Sequence, residues 1–471
     1  MVTDLNDVVI VDYCRTGIGY KDTSLSGIRS DSMVVEVIKA LVERNPAFKD
    51  NIESLAHEYK VDSMWGCNSQ IGTSALTLGR TAPLAAHLPY EIPGMSLNRQ
   101  CASGMTAVSL ALAEIKAGYF DFVICGGMEQ QTVYPIGQDM LWVDREGQVN
   151  RSAPHPGASN NPYIRDPFDD SKQGIMAGQM PGAEMIGKKY EADRETLDKF
   201  SLWSHEKAIA NADVRHTEII PIQVPYLGEI EGETNVSVEV KPGVRSSVKE
   251  GKCKLILAEN DYNAWEACKK KFACDGSFAD NIKHFEYSID ESARSKTTMD
   301  MMAKMPPVSK HGLLTAGNSC PENDGASGMI LARREAAEQL GLKPRAHIKC
   351  ITIVGSQPVL MLTGPQDATR ELLKRMEITM DDISIIEVNE AFSTVCYAFS
   401  KDTGIDLFDS RVNPWGGAIA IGHPTGSTGC RLLGTGMHQL EEMGGAGKGK
   451  LALGTLCVGL GMGIAGVVEL E

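Results

Sequence analysis

The sequence predicts an α/β protein, a parallel or mixed sheet with helices on its faces. Three observations point there. Short apolar, β-branched runs recur as buried-strand candidates: VVIVDY at Val8–Tyr13, DFVIC at Asp121–Cys125 and ISIIEV at Ile383–Val388. Stretches with apolar residues at helical spacing lie between them. The chain has 471 residues, 42% of them hydrophobic and 23% charged, enough for about two to four domains with filled cores.

Taken in order, Val8–Tyr13 is the first strand. Met33, Val34, Val37, Ile38 and Leu41 place a helix at Asp31–Arg44, with Pro46 beyond its end. Ser63–Cys67 reads as a strand. Ser74–His87 is a helix candidate interrupted by Pro83 and stopped by Pro89. A strand at Gly94–Arg99 leads to Cys101 and a helix at Ala102–Ala117. Asp121–Cys125 then runs into Gly126 and Gly127. From Glu129 to about Cys320 the texture is loop-rich. It includes helices at Ala183–Tyr190 and Arg194–Ala212, the second capped by Asp193. Pro221–Asp290 is polar, with β-like pieces at Val236–Val240 and Lys254–Leu257. The α/β texture resumes with a strand at Gly325–Leu331 and a helix at Arg333–Leu340. A strand at His347–Gly355, a helix at Ala368–Met376 and a strand at Ile383–Val388 follow. Strands at Leu451–Val458 and Met462–Glu469 end the chain.

A faint repeat is visible. Cys101 precedes a small-residue helix, strand DFVIC and a Gly-Gly pair. His423 precedes a Gly/Ser/Thr-rich helix, strand LALGTLC and a glycine-rich turn. The two halves are expected to share one topology and to face their helix N-termini toward each other; chance similarity of βα units is the alternative.

Composition narrows the function. The formal net charge of -15 argues against general nucleic-acid binding and against docking on an anionic membrane. No apolar run reaches the roughly 18 residues of a membrane span. Twelve scattered cysteines without CxxC pairs suit reduced thiols in a cytoplasmic setting better than a disulfide framework.

Four stretches carry candidate chemistry. In NRQCASGM (98–105), Cys101 sits at a helix N-terminus. The macrodipole and unpaired N–H groups there favour a thiolate. A buried cysteine packing as a small hydrophobe is the plainer reading. In NEAF (389–392), Asn389 is either an anchor for a water or carbonyl, or an N-cap; Glu390 is a cap or an orienting group. In NPWGGAIAIGHPTGSTG (413–429), His423 serves as a base or oxyanion donor, or is an ordinary loop histidine. In TLCVGLGMG (455–463), Cys457 is a proton donor and acceptor or a core thiol, and alternating glycines let N–H groups point into a site.

Together these blocks resemble the thiolase family, condensing enzymes acting on 3-ketoacyl thioesters of coenzyme A. The resemblance extends through GGME (126–129), TAGN (315–318), NDGAS (323–327) and LTGP (362–365) and covers nearly the whole chain except about 226–288. It implies a thiolase-like fold: two similar α/β halves in a layered α-β-α-β-α core with an inserted loop domain. The halves are expected at 1–130, completed by 321–340, and at 341–471. The loop domain is expected at 131–320, with an extra insertion at about 226–288.

The resemblance also implies roles. Cys101 is the nucleophile, His423 takes its proton, and Cys457 moves a proton at the substrate α-carbon. Asn389 holds a water that forms one oxyanion hole with His423. The N–H groups of Cys101 and Gly459 form the other. Met180, Met361 and Phe392 line the acyl end. Arg294 contacts the nucleotide end of coenzyme A, and Cys320 stands where a serine often meets the pantetheine arm. No cofactor is permanently bound; coenzyme A is a co-substrate, no metal is implied, and a homodimer or homotetramer is expected. Gln179, Cys320, Leu362 and Leu460 depart from the family pattern and put the acyl chain-length class in doubt.

Three roles compete for the insertion: a surface elaboration, an oligomer or partner contact, or a metal site at Cys253, Cys268 and Cys274, whose spacing fits no zinc pattern. Two rivals to the enzyme reading stand. A carrier-protein ketosynthase of the same fold uses a cysteine with two histidines, where this chain offers Asn389 and Cys457. A catalytically silent acyl-CoA-binding or scaffold protein has no need of Cys101, Asn389, His423 and Cys457 together.

Overall fold

The computed structural model describes residues 8–135, 142–143, 149–150, 178–227, 282–444 and 450–471. Its strands include β1 (Val8–Thr16), β2 (Val61–Gly66), β3 (Met95–Leu97), β4 (Phe122–Gln130), β5 (Ile222–Leu227) and β6 (Ile282–Tyr287). Then come β7 (Asn323–Arg333), β8 (Ala346–Gly355), β9 (Ile383–Val388), β10 (Leu451–Val458) and β11 (Met462–Leu470). The helices that organise the molecule are α1 (Ser30–Arg44), α2 (Pro46–His57), α3 (Ser103–Ala117), α4 (Gln179–Lys189) and α5 (Arg194–Ala210). They continue with α6 (Gly364–Met376), α7 (Ser393–Thr403) and α8 (Thr425–Glu442).

One hydrogen-bonded path runs β9-β10-β11-β8-β1-β7-β4-β2-β3. Its two ends repeat one pattern. β2 pairs parallel to β4, which pairs antiparallel to β7, which pairs antiparallel to β1. β9 pairs parallel to β10, which pairs antiparallel to β11, which pairs antiparallel to β8. Only two residue pairs join the sets, Val9 with His347 and Ile10 with Ala346. The parallel edge strand β3 beside β2 has its counterpart in a single bridge from Val412 to Ile386. Cys101 and α3 follow the first; His423 and α8 follow the second.

The apolar residues sort into layers. α1 and α2 pack on one face of the first set, through residues such as Val37, Leu41 and Phe48. α6 and α7 pack on the outer face of the second, through Leu372 and Phe399. Between the two sets lie α3 and α8, whose Met105, Val108, Leu433 and Met437 share one cluster with strand residues of both. This is the expected layered α-β-α-β-α core. Because α8 has protein on all sides, it is buried from Thr425 to Leu440.

Glycines let the two central helices meet. A Cβ on Gly104 would stand 2.6 Å from the Gly426 carbonyl, and one on Gly429 would stand 2.7 Å from the Met105 nitrogen. Larger residues there would push the helix starts apart.

The expected elements differ from the observed ones in three places. Pro46 lies beyond the end of α1 as expected, but it opens α2, an unexpected helix, in whose first turn a missing N–H costs nothing. The expected helix at 74–87 is a 3-10 turn at Gly72–Ser74 followed by a helix at Leu78–Ala85 that contains Pro83. Left-handed backbone at Leu76 and Thr77 separates the two. α4 starts at Gln179, four residues before the expected Ala183. The Asp193 cap is as expected, its side chain accepting from the Thr196 N–H.

β5 and β6 form an antiparallel ribbon, paired from Ile222–Tyr287 to Leu227–Ile282. The extra stretch therefore leaves from the tip of a hairpin. Val236–Val240, Lys254–Leu257, Cys253, Cys268 and Cys274 lie outside the described residues. Replacing 228–281 by an Asn-Gly turn satisfies the ribbon's geometry. That variant is expected to fold and to keep its activity within about threefold, the changes falling on assembly. Lost turnover with unchanged oligomeric state, measured by light scattering, would place the segment in the active site instead.

Candidate active site

Cys101 lies between β3 and α3, almost fully buried. The site does not offer the preformed thiolate expected of a helix N-terminus. Burial first, then the nearby Glu129 carboxylate, push the Cys101 thiol up to about 12. The N–H groups of Gly459 and of Cys101 itself act against this. Removing the thiol from water outweighs the helix-end dipole.

His423 sits two residues before α8, in a loop with two fixed ends. Its N–H donates to Asn323 Oδ1 at 2.9 Å. Gly422, before it, has φ +108°, and a Cβ there would meet the Asn323 amide at 2.6 Å. The ring is held on both sides. Nδ1 is 2.7 Å from Thr428 Oγ1, and Nε2 is 3.3 Å from Asn389 Nδ2. The Thr428 hydroxyl donates to the Pro424 carbonyl at 2.9 Å. It therefore accepts from Nδ1–H, leaving the Nε2 lone pair for the Asn389 amide. Burial, then the Arg431 charge, push the imidazole down to about 3. A neutral imidazole with a free-basic Nε2 is the form that can take a proton.

Asn389 follows β9, its backbone N–H donating to Thr455 on β10. Its Oδ1 is buried and has no hydrogen-bond partner among the described residues. Glu390 is fully buried and fixes the loop beneath. It accepts from Ser204 Oγ at 2.6 Å, Asn413 Nδ2 at 2.7 Å and the Ile419 N–H at 3.1 Å. Glu390 thus orients the loop that carries Asn389.

Cys457 ends β10. Burial, then the neighbouring Cys101 and Cys320, push its thiol well above the usual range. Burial and Cys101 act on Cys320 in the same direction. The three thiols therefore lie near enough to act on one another's charge. Gly459 starts the β10–β11 turn, in which Leu460 has φ +68° and is 43% exposed. Met361, Leu362, Phe392, Ile186 and Leu314 pack with Cys457 in one apolar cluster. Met180 is not part of that cluster; it is 48% exposed in the first turn of α4. Arg294 is half-buried, and its N–H donates to His205 Nδ1 at 3.3 Å. Among the described residues no His/Cys/Asp/Glu group could hold a metal ion.

The structure thus brings Cys101, Cys320, Cys457 and the Gly459 N–H together, and pairs His423 with Asn389. Sequence reasoning did not single out Thr428 or Asn323, which hold His423, or the carboxylate of Glu129. The available signal for Glu129 was an acidic residue ending an otherwise apolar, glycine-rich strand.

The family model for the thiolase N-terminal domain matches residues 8–249 and 258–335, and that for the thiolase C-terminal domain matches 342–470. The chain is 32% identical to a beta-ketoadipyl-CoA thiolase of Pseudomonas putida, over 99% of this chain and 100% of that one. It is 31% identical to a 3-ketoacyl-CoA thiolase of Marinomonas, over 98% of each. Among solved structures it is similar to an acetyl-CoA acetyltransferase of Bacillus anthracis, with a TM-score of 0.74, 27% identity and 99% of each chain covered.

Proposed function

The chain belongs to the thiolase family, and on that premise we propose how its residues divide the work of an acyltransferase that cleaves 3-ketoacyl-CoA with coenzyme A, or runs the reverse condensation. Cys101 attacks the 3-keto carbon, and its proton passes to Nε2 of His423. Cleavage of the Cα–Cβ bond leaves the acyl group on Cys101 as a thioester. The departing acetyl-CoA enolate takes a proton from Cys457. Coenzyme A gives its thiol proton to the Cys457 thiolate and attacks the acyl-Cys101 thioester; the chain leaves as acyl-CoA, and His423 returns its proton to the Cys101 sulfur. The N–H groups of Cys101 and Gly459 serve one oxyanion. Nε2 of His423 and a water on Asn389 serve the other. The held imidazole is the observation that carries this reading: Thr428 fixes the tautomer and Asn389 stands at the reacting nitrogen.

Met361 and Phe392 line the acyl end in this reading, with Met180 at its rim. Cys320 lies along the pantetheine arm, and Arg294 on the nucleotide side. The proposed division of the chain is 1–130 with 321–340, 131–320, and 341–471. A homo-oligomer is supported by β3, which pairs with one strand only among the described residues. Leu76, 84% exposed, lies beside the helix at Leu78–Ala85 packed on that strand. A cytoplasmic setting is supported by nine described cysteines, all free. No described helix is long and apolar enough to cross a membrane.

The described acyl wall is apolar, which favours an uncharged chain. Thiolysis of acetoacetyl-CoA, longer 3-ketoacyl-CoAs and beta-ketoadipyl-CoA tests this. An uncharged substrate is expected to win by at least about tenfold in kcat/KM. Preference for beta-ketoadipyl-CoA, the substrate named for several relatives, would overturn it and require a cation at the acyl end.

A further inference from the structure

The backbone of His423 is gripped at both of its polar atoms by side chains of the first half. Its N–H donates to Asn323 Oδ1 at 2.9 Å, and its carbonyl accepts from Gln131 Nε2 at 3.4 Å. The two side chains are themselves joined, since the Asn323 N–H donates to Gln131 Oε1 at 2.8 Å. Sheet register explains the meeting. β4 and β7 run antiparallel with Gln130 opposite Asp324, so Gln131 and Asn323 stand at the shared end of that ladder. Asn323, Gln131 and His423 are all buried.

The Asn323 amide is used on both sides. Its Nδ2 donates to the Gly19 carbonyl at 2.9 Å and to Ser292 Oγ at 3.0 Å. Those bonds fix which end of the amide faces His423 and leave Oδ1 to accept the His423 N–H. The loop that carries His423 belongs to the second half, and the strand ladders of the two halves meet at only two residue pairs. Asn323 and Gln131 therefore add a direct link at the reacting residue. Gln131 opens the loop domain as divided above, and Ser292 lies within that domain. A shift of the domain moves both against the Asn323 amide, and through it the His423 backbone.

We propose that Asn323 and Gln131 form a positioning clamp that sets where the His423 imidazole stands and couples it to the seating of the loop domain. The proposal rests on the reading of His423 as the base that takes the Cys101 proton, and deepens it. Thr428 and Asn389 hold the ring, whereas the clamp holds the backbone that carries it. Neither clamp residue touches substrate in this reading; each acts through His423.

Asn323→Ala leaves the buried His423 N–H without its acceptor. Thiolysis kcat is expected to fall at least about thirtyfold, with KM within about threefold. General loosening would also lower kcat, so a double-mutant cycle with His423→Ala separates the two. The rate of acyl-Cys101 formation from the preferred 3-ketoacyl-CoA is measured by rapid quench and intact-protein mass spectrometry. With the imidazole gone, Asn323→Ala is expected to cost less than about threefold. An equal loss in both backgrounds overturns the proposal, as does an unchanged kcat in the single variant. If Asn323→Ala does not fold, Gln131→Met, which keeps the volume and loses both clamp bonds, meets the same criteria with an expected loss of at least about tenfold. Ser292→Ala removes the loop-domain contact of the amide and leaves the His423 contact. It is expected to lower kcat about fivefold, and no change overturns the coupling to the loop domain. A His423→Ala variant that acylates as fast as wild type overturns the base assignment and the clamp with it. A failure of the clamp alone shows as additive losses on a slow His423→Ala.

Discussion

Cys101→Ala is expected to lower thiolysis by on the order of 10⁴-fold or more while leaving the protein folded. No other group in the pocket can replace the lost nucleophile. The Cys457 and Cys320 thiols are pushed up by burial like that of Cys101, and the Gly459 N–H is directed at the Cys101 sulfur. The structural cost is small. The thiol is buried beside Ala102 and Met105, and its loss removes one sulfur from a packed cluster, about 1 kcal/mol. Two measurements separate chemistry from folding. Thermal unfolding should shift by only a few degrees. Mass spectrometry after incubation with 3-ketoacyl-CoA should show an acyl adduct on wild-type Cys101 and none on the variant. Turnover that survives the substitution sinks the nucleophile assignment.

The fold was readable because its strands are buried on both faces. Val8–Tyr13, Ile383–Val388 and Leu451–Val458 are short β-branched or apolar runs, and the structure makes all three strands of the sheet with nearly every residue buried. The repeated arrangement of Cys101 and His423 was readable because each is followed by small residues, which the crossing of α3 and α8 requires. Local rules failed where tertiary contacts decide. Pro46 reads as a stop signal and as a start signal alike, and packing of Phe48 and Ile52 selects the second. The helix at Leu78–Ala85 runs through Pro83, whose missing N–H leaves one backbone bond unmade, while Leu78 and Ala82 hold it in a core cluster. The Cys101 thiol misled for another reason. A helix N-terminus is visible in sequence, whereas the burial of the thiol, the larger cause, and the Glu129 carboxylate, the second, are not. The holders of His423 were hidden likewise: Asn323 and Thr428 are ordinary polar residues until the loop folds around them.

Asp290→Ala is expected to cost about 3–5 kcal/mol of stability. Asp290 stands just beyond β6, at the base of the ribbon. Its carboxylate accepts both Arg15 nitrogens, at 2.7 and 2.9 Å, Arg215 Nε at 2.8 Å and the Ile18 N–H at 3.0 Å. Arg15 also pairs with Glu218 at 2.8 Å, and Arg215 donates to the carbonyls of Ala208 and Trp415. All four charged side chains are buried. The network ties β1, the end of α5, the loop before α8 and the ribbon base together. Alanine leaves two guanidinium groups inside the protein with one carboxylate between them. That uncompensated charge, rather than the lost hydrogen bonds, dominates the cost. The pH dependence has a definite sign. Burial alone raises the Asp290 pKa, but the Arg15 and Arg215 charges and their hydrogen bonds overcome it and hold the carboxyl well below the usual range. A depressed folded pKa gives stability that is present above the unfolded value, about 3.9, and is lost as pH falls through the folded one. Wild-type stability from this source should therefore be level from pH 8 to 5 and decline only in acid. The difference between wild type and Asp290→Ala in urea unfolding should be nearly constant over pH 5–8 and shrink below about pH 4. A variant as stable as wild type at pH 7 would show that solvent reaches the two arginines. The network would then not anchor the ribbon.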